Sequence, residues 1–206
     1  MNRRSAIIGV LFVAAAAFAG AQQASSQGEW TVLFDGKSLD HFNKVGDANW
    51  RVEDGSVVAD KGNGFLVTKE AYGDFQLRAE FWVGPDANSG IFIRATDPDK
   101  ITATNGYEVN IWDDRPEKDY GTGAIVGVAK VDPMPTATGK WNLYEITAKG
   151  GVFTVVLNGK QTVEGKDGKF ASGRIALQHG LGNKDAAGVA NDKGVVKFRK
   201  VEIKKL

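Results

Sequence analysis

The chain has 206 residues, among them 26 glycines and no cysteine, and its formal net charge is +1. This near-neutral charge argues against a nucleic-acid-binding protein, which carries a strongly basic surface. The absence of cysteine excludes disulfides, iron–sulfur clusters, cysteine zinc sites and thiol nucleophiles. Because His41 and His179 are the two histidines, a zinc site built on two or three histidines is also disfavoured. Glycine is well above its usual share of ~7%, which points to many tight turns and to a single β domain.

The N-terminal segment predicts a secretory signal peptide over residues 1–21. Arg3 and Arg4 supply its positive start, and residues 6–19 form an apolar stretch followed by small-x-small cleavage sites. This stretch is shorter than the ~20 residues of a membrane-spanning helix, and an uncleaved anchor is the alternative. We therefore expect a secreted or periplasmic protein without membrane attachment after signal removal, in which residues 22–28 form a short polar leader.

Beyond residue 28 the sequence is organised as short strands separated by turns. Runs rich in Val, Ile, Phe, Tyr and Trp alternate with Gly, Asn and Asp, and no stretch shows helical periodicity. Asp54-Gly55 and Asn158-Gly159 are typical of two-residue hairpin turns, and residues 141–164 predict a three-stranded antiparallel meander. About a dozen short strands must close as a barrel or a sandwich. We predict an all-β, two-sheet antiparallel jelly-roll sandwich over residues 29–206.

Alternation along four predicted strands collects an unusual set of residues on the side away from the core. In the segments 75–83, 91–95, 107–113 and 174–179, apolar residues occupy every second position and share one face. The residues between them share the other face, which we expect to be common to all four strands. That face carries Arg78, Glu80, Trp82, Phe92, Arg94, Glu108, Asn110, Trp112 and Gln178.

A simple register follows if residues 84–88 join two neighbouring antiparallel strands. Trp82 then faces Gly90, which leaves room for the indole ring. Arg94 lies diagonal to Glu80, within reach of a long side chain. A neighbouring arginine keeps a carboxylate ionised, which suits a base or a hydroxyl acceptor.

The mixture of residues on this face predicts a saccharide-binding surface. Aromatic rings stack on the C–H faces of sugars, while fixed amides and carboxylates bind hydroxyl groups. The alternative is a second small core, in which loops cover Trp82, Phe92 and Trp112. In that interpretation Glu80 and Arg94 form a simple ion pair.

An ordered series of segments extends over nearly all of residues 29–206. The segments are VLFDGKSL (32–39), WRVEDG (50–55), DFQLRAEF (74–81), NSGIFIR (88–94), GYEVNIWD (106–113), GAI (123–125), WNLYEI (141–146) and FRKVEI (198–203). Together they resemble the 3-keto-disaccharide hydrolase family. The resemblance implies a concanavalin A-like lectin/glucanase jelly roll, export, and action on sugars. The chain departs from the family pattern at Asn110, where Gln is frequent, and in having no acidic residue between Gln178 and His179.

The resemblance also implies a sugar substrate with a ketone at C3, which makes the proton on C2 acidic. A base removes that proton, an enolate forms, the substituent on C1 leaves, and water adds. The candidate catalytic residues are Glu108 or Glu80 as the base, Arg94 as the cation that stabilises the enolate, and His179 as the acid or an alternative base. A structural role for His179 at a strand end is the alternative.

The other polar and aromatic residues are candidates for binding the sugar. An amide, a carboxylate or an aromatic ring fixes hydroxyl groups or a ring face. Asp113 follows a strand directly, so that a loop cap is its alternative role. The candidate substrate-binding residues are Arg78, Trp82, Asn88, Phe92, Asn110, Trp112, Asp113 and Gln178.

We expect no required cofactor and no metal site. A divalent cation could use Glu108 and Asp113, but the sequence has no ligand loop of recognised spacing. The expected partner besides a saccharide is a sugar oxidoreductase that supplies the keto substrate. A non-catalytic carbohydrate-binding module and a domain that binds a protein partner are the alternative functions.

Overall fold

The computed structural model describes residues 28–206, which form thirteen β-strands and one short 3-10 helix. The signal-peptide prediction for residues 1–21, and all but the last residue of the predicted leader, lie outside the described residues. Within residues 28–206 no helix has the length and apolarity needed to cross a membrane. The elements are β1 (Thr31–Phe34), β2 (Phe42–Gly46), β3 (Arg51–Glu53), β4 (Ser56–Ala59), β5 (Gly64–Tyr72), β6 (Phe75–Val83), β7 (Ser89–Ala95), β8 (Tyr107–Ile111), the 3-10 helix (Lys118–Tyr120), β9 (Trp141–Lys149), β10 (Val152–Leu157), β11 (Lys160–Lys166), β12 (Gly173–His179) and β13 (Val196–Lys205).

The strands pair antiparallel in two sheets, as the sequence predicts. The eight-stranded sheet has the order β11-β10-β9-β6-β13-β4-β3, and β1 pairs with the part of the β13 edge that β4 leaves free. The five-stranded sheet has the order β2-β5-β12-β7-β8. The all-β, two-sheet sandwich is therefore confirmed.

Two tight turns have the backbone conformation that their residues predict. Asp54 and Gly55 have φ angles of 48° and 71°, and Asn158 and Gly159 have φ angles of 51° and 79°. Positive φ at both central residues is the requirement of a type I′ hairpin. The second of these turns connects β10 to β11, and β9, β10 and β11 form the predicted meander.

The main core lies between the two sheets and draws on both. Phe81 of β6 and Leu177 of β12 are fully buried in it. The buried Tyr144 of β9 donates its hydroxyl proton to the main-chain oxygen of Asn110 in β8, at 2.7 Å. Packing and this hydrogen bond hold the two sheets together beneath the outer face of β8.

The predicted pairing of the strands before and after residues 84–88 is wrong. β6 pairs with β9 and β13, whereas β7 pairs with β8 and β12. Residues 84–88 cross from one sheet to the other, so Trp82 lies opposite Trp141 and Lys197 instead of Gly90. The single outer face expected from the sequence is consequently two faces on opposite sides of the molecule.

Candidate functional site

The candidate site lies on the outer face of the five-stranded sheet, across β8, β7 and β12. Alternation turns the apolar residues of these strands into the core and leaves the intervening residues outside. The cross-strand register then fixes which outer residues are neighbours. The two central rows are Glu108, Phe92 and Ala176, and beside them Asn110, Gly90 and Gln178.

Small residues lie between the polar side chains of these rows, and we call this central part of the face the hollow. Gly90 has no side chain and Ala176 has only a methyl group. A methyl group placed on Gly90 would lie 3.2 Å from Oε1 of Glu108 and 3.3 Å from its Cγ. The Glu108 side chain therefore packs closely over Gly90, in the room that the missing side chain leaves.

Glu108 is the titratable side chain with the most unusual environment at this site. It is 8% exposed, and its carboxylate has no hydrogen-bond partner among residues 28–206. Burial disfavours the charged form and raises the pKa of Glu108 to about 7, against a smaller opposing effect from the positive charge of Arg115. A carboxyl group with this pKa exchanges its proton near neutral pH.

Four buried polar atoms around the hollow have no hydrogen-bond partner within residues 28–206. Two are acceptors, Oδ1 of Asn110 and Oε1 of Gln178, and two are donors, Nε1 of Trp112 and Nε of Arg115. The Asn110 amide is held in place because its Nδ2 donates to the main-chain oxygen of Tyr120, at 2.6 Å. Buried polar groups are usually paired, so this arrangement suits a ligand that brings both hydroxyl donors and acceptors.

Loops from three parts of the chain meet at this end of the sheet. Nδ2 of Asn88 donates to the main-chain oxygen of Leu181 at 2.7 Å, and Nδ2 of Asn183 donates to that of Asp114 at 2.9 Å. Asn88 therefore ties the segment before β7 to the loop after β12. In the predicted sugar-binding role of Asn88, the atom available as a hydrogen-bond acceptor is its amide oxygen.

Phe92 lies in the floor of the sheet rather than on its surface. It is 3% exposed and packs in a second apolar cluster with Val67, Ile101 and Ala176. Its ring meets Phe65 edge-on, with 5.5 Å between the ring centres. The alternative of a small loop-covered core is thus correct for Phe92, which offers no free ring face to a sugar.

Arg94 does not reach Glu80 or the hollow, so the predicted geometry is wrong. Its guanidinium is 1% exposed and donates to the main-chain oxygens of Gly73, Gly150 and Phe170, and to Asp74. A β-bulge explains the difference, because Arg94 has a φ of 53° and the β7–β12 register shifts there. The bulge turns the side chain toward the turns that connect other strands.

His179 lies on the core side of β12, opposite in direction to Gln178. It is 1% exposed, with Nδ1 2.8 Å from the main-chain oxygen of Gly62 and Nε2 2.7 Å from that of Gly194. Both ring nitrogens are occupied by main-chain contacts. This placement agrees with the alternative, a structural role for His179 at the end of a strand. The sheet separates His179 from the hollow.

Arg78, Glu80 and Trp82 lie on the outer face of the other sheet. Glu80 pairs with Arg199 of β13, and Arg78 pairs with Glu145 of β9 at 3.1 Å. The three residues are therefore removed from Glu108 by the full thickness of the sandwich. The sequence placed them at the hollow because alternation does not report which sheet a strand joins.

Asp113 is occupied by contacts that fix two loops. Its Oδ1 accepts a hydrogen bond from the Thr122 hydroxyl, and its Oδ2 accepts from the main-chain N–H groups of Ala137 and Thr138 and from the Thr138 hydroxyl. Asp113 is a loop cap, as its alternative role states. Among residues 28–206, no group of three or more His, Asp or Glu side chains is placed to hold a metal ion.

The sequence analysis missed Arg115 and the meaning of two small residues. Arg115 stacks over the Trp112 ring at 5.7 Å and acts electrostatically on Glu108. It lies in a loop, where no alternating pattern indicates which way a side chain points. Gly90 and Ala176 have no functional group, so the sequence alone did not single them out. The strand register shows that they lie between the polar side chains of the site.

Comparison with known proteins places the chain in a family. Residues 29–204 match the family described as the 3-keto-alpha-glucoside-1,2-lyase-like domain. No curated protein sequence gives a significant match.

Solved structures share the fold. Two candidate glycosyl hydrolases from Parabacteroides distasonis are 27% and 22% identical, with TM-scores of 0.68 and 0.71. The first alignment covers 86% of this chain and 100% of the other, and the second covers 87% and 94%. The carbohydrate-binding module CBM66 from Bacillus subtilis is 17% identical, with a TM-score of 0.54 and coverage of 85% and 95%.

These comparisons agree with the architecture. The predicted jelly roll of the lectin/glucanase type is confirmed. Fold and family together indicate a carbohydrate-active protein of the glycosyl hydrolase-like kind. Because the family match covers almost every described residue, the chain belongs to the 3-keto-alpha-glucoside-1,2-lyase-like family, as its resemblance to the 3-keto-disaccharide hydrolases predicts.

Proposed function

We propose that this chain breaks the glycosidic bond of 3-keto-glycosides by elimination, with Glu108 as the base that takes the proton from C2. The observation that carries the proposal is the buried Glu108 carboxylate beside the hollow, with a pKa of about 7. A general base is most effective when its pKa lies near the working pH. The family description, which names a 1,2-lyase of 3-keto-α-glucosides, supports the same chemistry.

The reaction begins at C2, where the ketone at C3 makes the proton acidic. Glu108 takes this proton, and the electron pair of the C2–H bond forms an enolate whose charge rests on the C3 oxygen. The ketone re-forms as a C1–C2 double bond is made, and the C1–O bond breaks with its electron pair on the glycosidic oxygen. Protonated Glu108 then gives its proton to that oxygen. Addition of water to the double bond completes a hydrolysis.

The residues around Glu108 support each of these steps. Arg115 replaces Arg94 as the cation, and its unpaired Nε–H donates to the enolate oxygen. The unpaired oxygens of Asn110 and Gln178 accept protons from sugar hydroxyls, and Trp112 donates its indole N–H. These contacts hold C2 of the substrate against Glu108.

The decisive experiment compares Glu108→Gln with Glu80→Gln on a 3-keto-disaccharide and on its unoxidised parent. We expect turnover of the keto sugar by the wild type, and none of the parent, because only the ketone acidifies C2. Glu108→Gln should lower kcat by about 10³-fold, since it removes the base. Glu80→Gln, on the other sheet, should leave kcat unchanged. Full activity of folded Glu108→Gln would contradict the proposal.

The same assay distinguishes the enzyme from a carbohydrate-binding module. A module would bind the parent sugar, release no product from the keto sugar, and bind equally well after Glu108→Gln. For the enzyme, kcat/KM should rise with pH through a pKa near 7, because the free base is the ionised form of Glu108.

Three parts of the biological setting belong to the same proposal. We expect turnover to survive treatment with EDTA, since the proposed chemistry uses no metal. A sugar oxidoreductase that oxidises the C3 hydroxyl must supply the substrate. Residues 1–21 should direct export, which cell fractionation would test by locating the shortened chain outside the cytoplasm.

A further inference from the structure

A separate cavity of about 360 Å³ lies on the outer face of the eight-stranded sheet, beside the β3–β4 hairpin. We call it the β3–β4 cavity. Val58 and Val195 contribute apolar surface, and polar side chains from β3, β13 and the loop after β4 surround it. Its volume falls within the ~300–1,000 Å³ of small-ligand sites. It lies on the opposite side of the sandwich from Glu108 and takes no part in the proposed reaction.

The polar side chains of the β3–β4 cavity carry charges of both signs, and several of them pair with one another. Arg51 pairs with Asp60 at 2.7 Å and with Glu53 at 3.0 Å. Lys197 adds a second cation, and Asp54 adds a further carboxylate. An anionic ligand would meet three carboxylates and a cationic ligand two cations, so the lining fits a neutral molecule that both donates and accepts hydrogen bonds.

A fixed aromatic ring stands at the edge of the same cavity. Trp141 lines it and remains 36% exposed. The Arg199 guanidinium stacks on the Trp141 ring at 4.3 Å and also pairs with Glu80, which fixes the orientation of the ring. A rigid exposed indole beside hydrogen-bonding groups is suited to the C–H face of a sugar.

We propose that the β3–β4 cavity is a second, non-catalytic saccharide site that takes a neutral oligosaccharide. The sugar stacks against Trp141, while Arg51, Lys197 and Asp60 bind its hydroxyl groups. The inference does not rest on the proposed function, because it concerns other residues on another sheet. Such a site would hold the protein on a glycan while the hollow at Glu108 handles a separate sugar.

The test is a calorimetric titration of the intact protein with neutral trisaccharides, namely maltotriose, cellotriose and laminaritriose, at millimolar concentration. We expect at least one of them to bind, and Trp141→Ala to weaken that binding about tenfold or more. The matched control is Trp30→Ala, since Trp30 is stacked by Arg78 on the same sheet and is absent from the cavity lining. Lys197→Met provides a second cavity variant, with an expected loss of about threefold or more.

Glu108→Gln separates this inference from the proposed function, and it should bind the trisaccharide as the wild type does. Loss of that binding in Glu108→Gln would place the sugar at the hollow and overturn the inference. Unchanged binding in folded Trp141→Ala and Lys197→Met, or no binding by any trisaccharide, would overturn it as well. Tighter binding of trigalacturonate than of the neutral sugars would contradict the neutral ligand.

Discussion

Glu108 is buried without a hydrogen bond to its carboxylate among residues 28–206, and the nearby charge of Arg115 offsets the burial only in part. In the unfolded chain its pKa is that of an ordinary glutamate, about 4.3, and in the folded chain it is about 7. Between these two values the folded chain holds the proton and the unfolded chain does not. Stability therefore falls as pH rises through this interval, and the cost remains above it.

Replacing Glu108 by Gln should remove this pH dependence. We expect the variant to gain stability relative to the wild type as pH rises from 5 to 8, by on the order of 2–3 kcal/mol. Urea unfolding followed at several pH values measures it. Glu145→Gln is the control, because Glu145 is a partly exposed partner of Arg78 and should show a nearly constant difference. A constant difference for Glu108→Gln would mean that its pKa is ordinary.

The sequence predicts which face a site residue occupies only in regular strands, where apolar and polar residues alternate. Glu108, Asn110 and Gln178 follow apolar neighbours in regular strands, and all three lie on the outer face of one sheet, as expected. His179 has the same parity as the buried Leu177, so alternation already assigns it to the core side. The side chain of Arg94 could not be placed from the sequence, because a β-bulge with positive φ redirects it. No glycine at this position indicates such a bulge.

Among the elements, β7 determines what the site can bind. It lies between β8 and β12, so its residue 90 separates Glu108 and Asn110 from Gln178. A glycine within a strand usually weakens it and marks a close approach by another group. At this position the close group is the Glu108 side chain, which packs over the glycine.

Gly90→Ala should therefore impair catalysis more than folding. The new methyl group would lie 3.2 Å from Oε1 of Glu108, where it would displace the carboxylate proposed as the base. We expect kcat/KM on a 3-keto-disaccharide to fall about tenfold or more, with a stability change of about 1 kcal/mol or less. Steady-state kinetics and thermal unfolding measure the two effects. Gly168→Ala is the control, since nothing lies within 4 Å of its new methyl group; equal activity of both variants would place the substrate elsewhere.

The partition of strands between the sheets was the part of the fold that the sequence could not supply. The dipeptides Asp54-Gly55 and Asn158-Gly159 predict hairpin turns, and each turn joins two strands that pair with each other. Residues 84–88 contain glycine, proline and asparagine as well, yet they cross between sheets. Local turn chemistry is the same in both cases, and only the packing of distant strands decides where the chain goes next.

At the scale of the whole molecule, Arg94 connects parts that are far apart in sequence. Its guanidinium reaches the β5–β6 turn at Gly73 and Asp74, the β9–β10 turn at Gly150, and the segment before β12 at Phe170. β7 belongs to one sheet, while β9 and β10 belong to the other. A chain without disulfides depends on such contacts and on its core.

Arg94→Ala should lower the free energy of unfolding by about 3 kcal/mol, because it leaves buried carbonyl oxygens without donors. Urea denaturation gives the value. Arg78→Ala breaks a half-exposed ion pair with Glu145 and a longer contact with Glu202, which Lys200 still pairs. It should cost about 1 kcal/mol or less. If Arg94→Ala were as stable as Arg78→Ala, Arg94 would not have the structural role assigned to it; normal kcat in the folded Arg94→Ala protein would confirm its distance from the reaction.

The pairing of β1 with β13 places the two ends of the folded domain side by side, with Thr31 opposite Ile203. A short glycine-rich linker could therefore join residue 206 to residue 28, and new ends could be cut at the exposed turn around Gly168. Such a circular permutant would keep every strand pair in both sheets. The fold therefore depends on which strands pair in the two sheets, and we expect it to tolerate a different order of the strands along the chain.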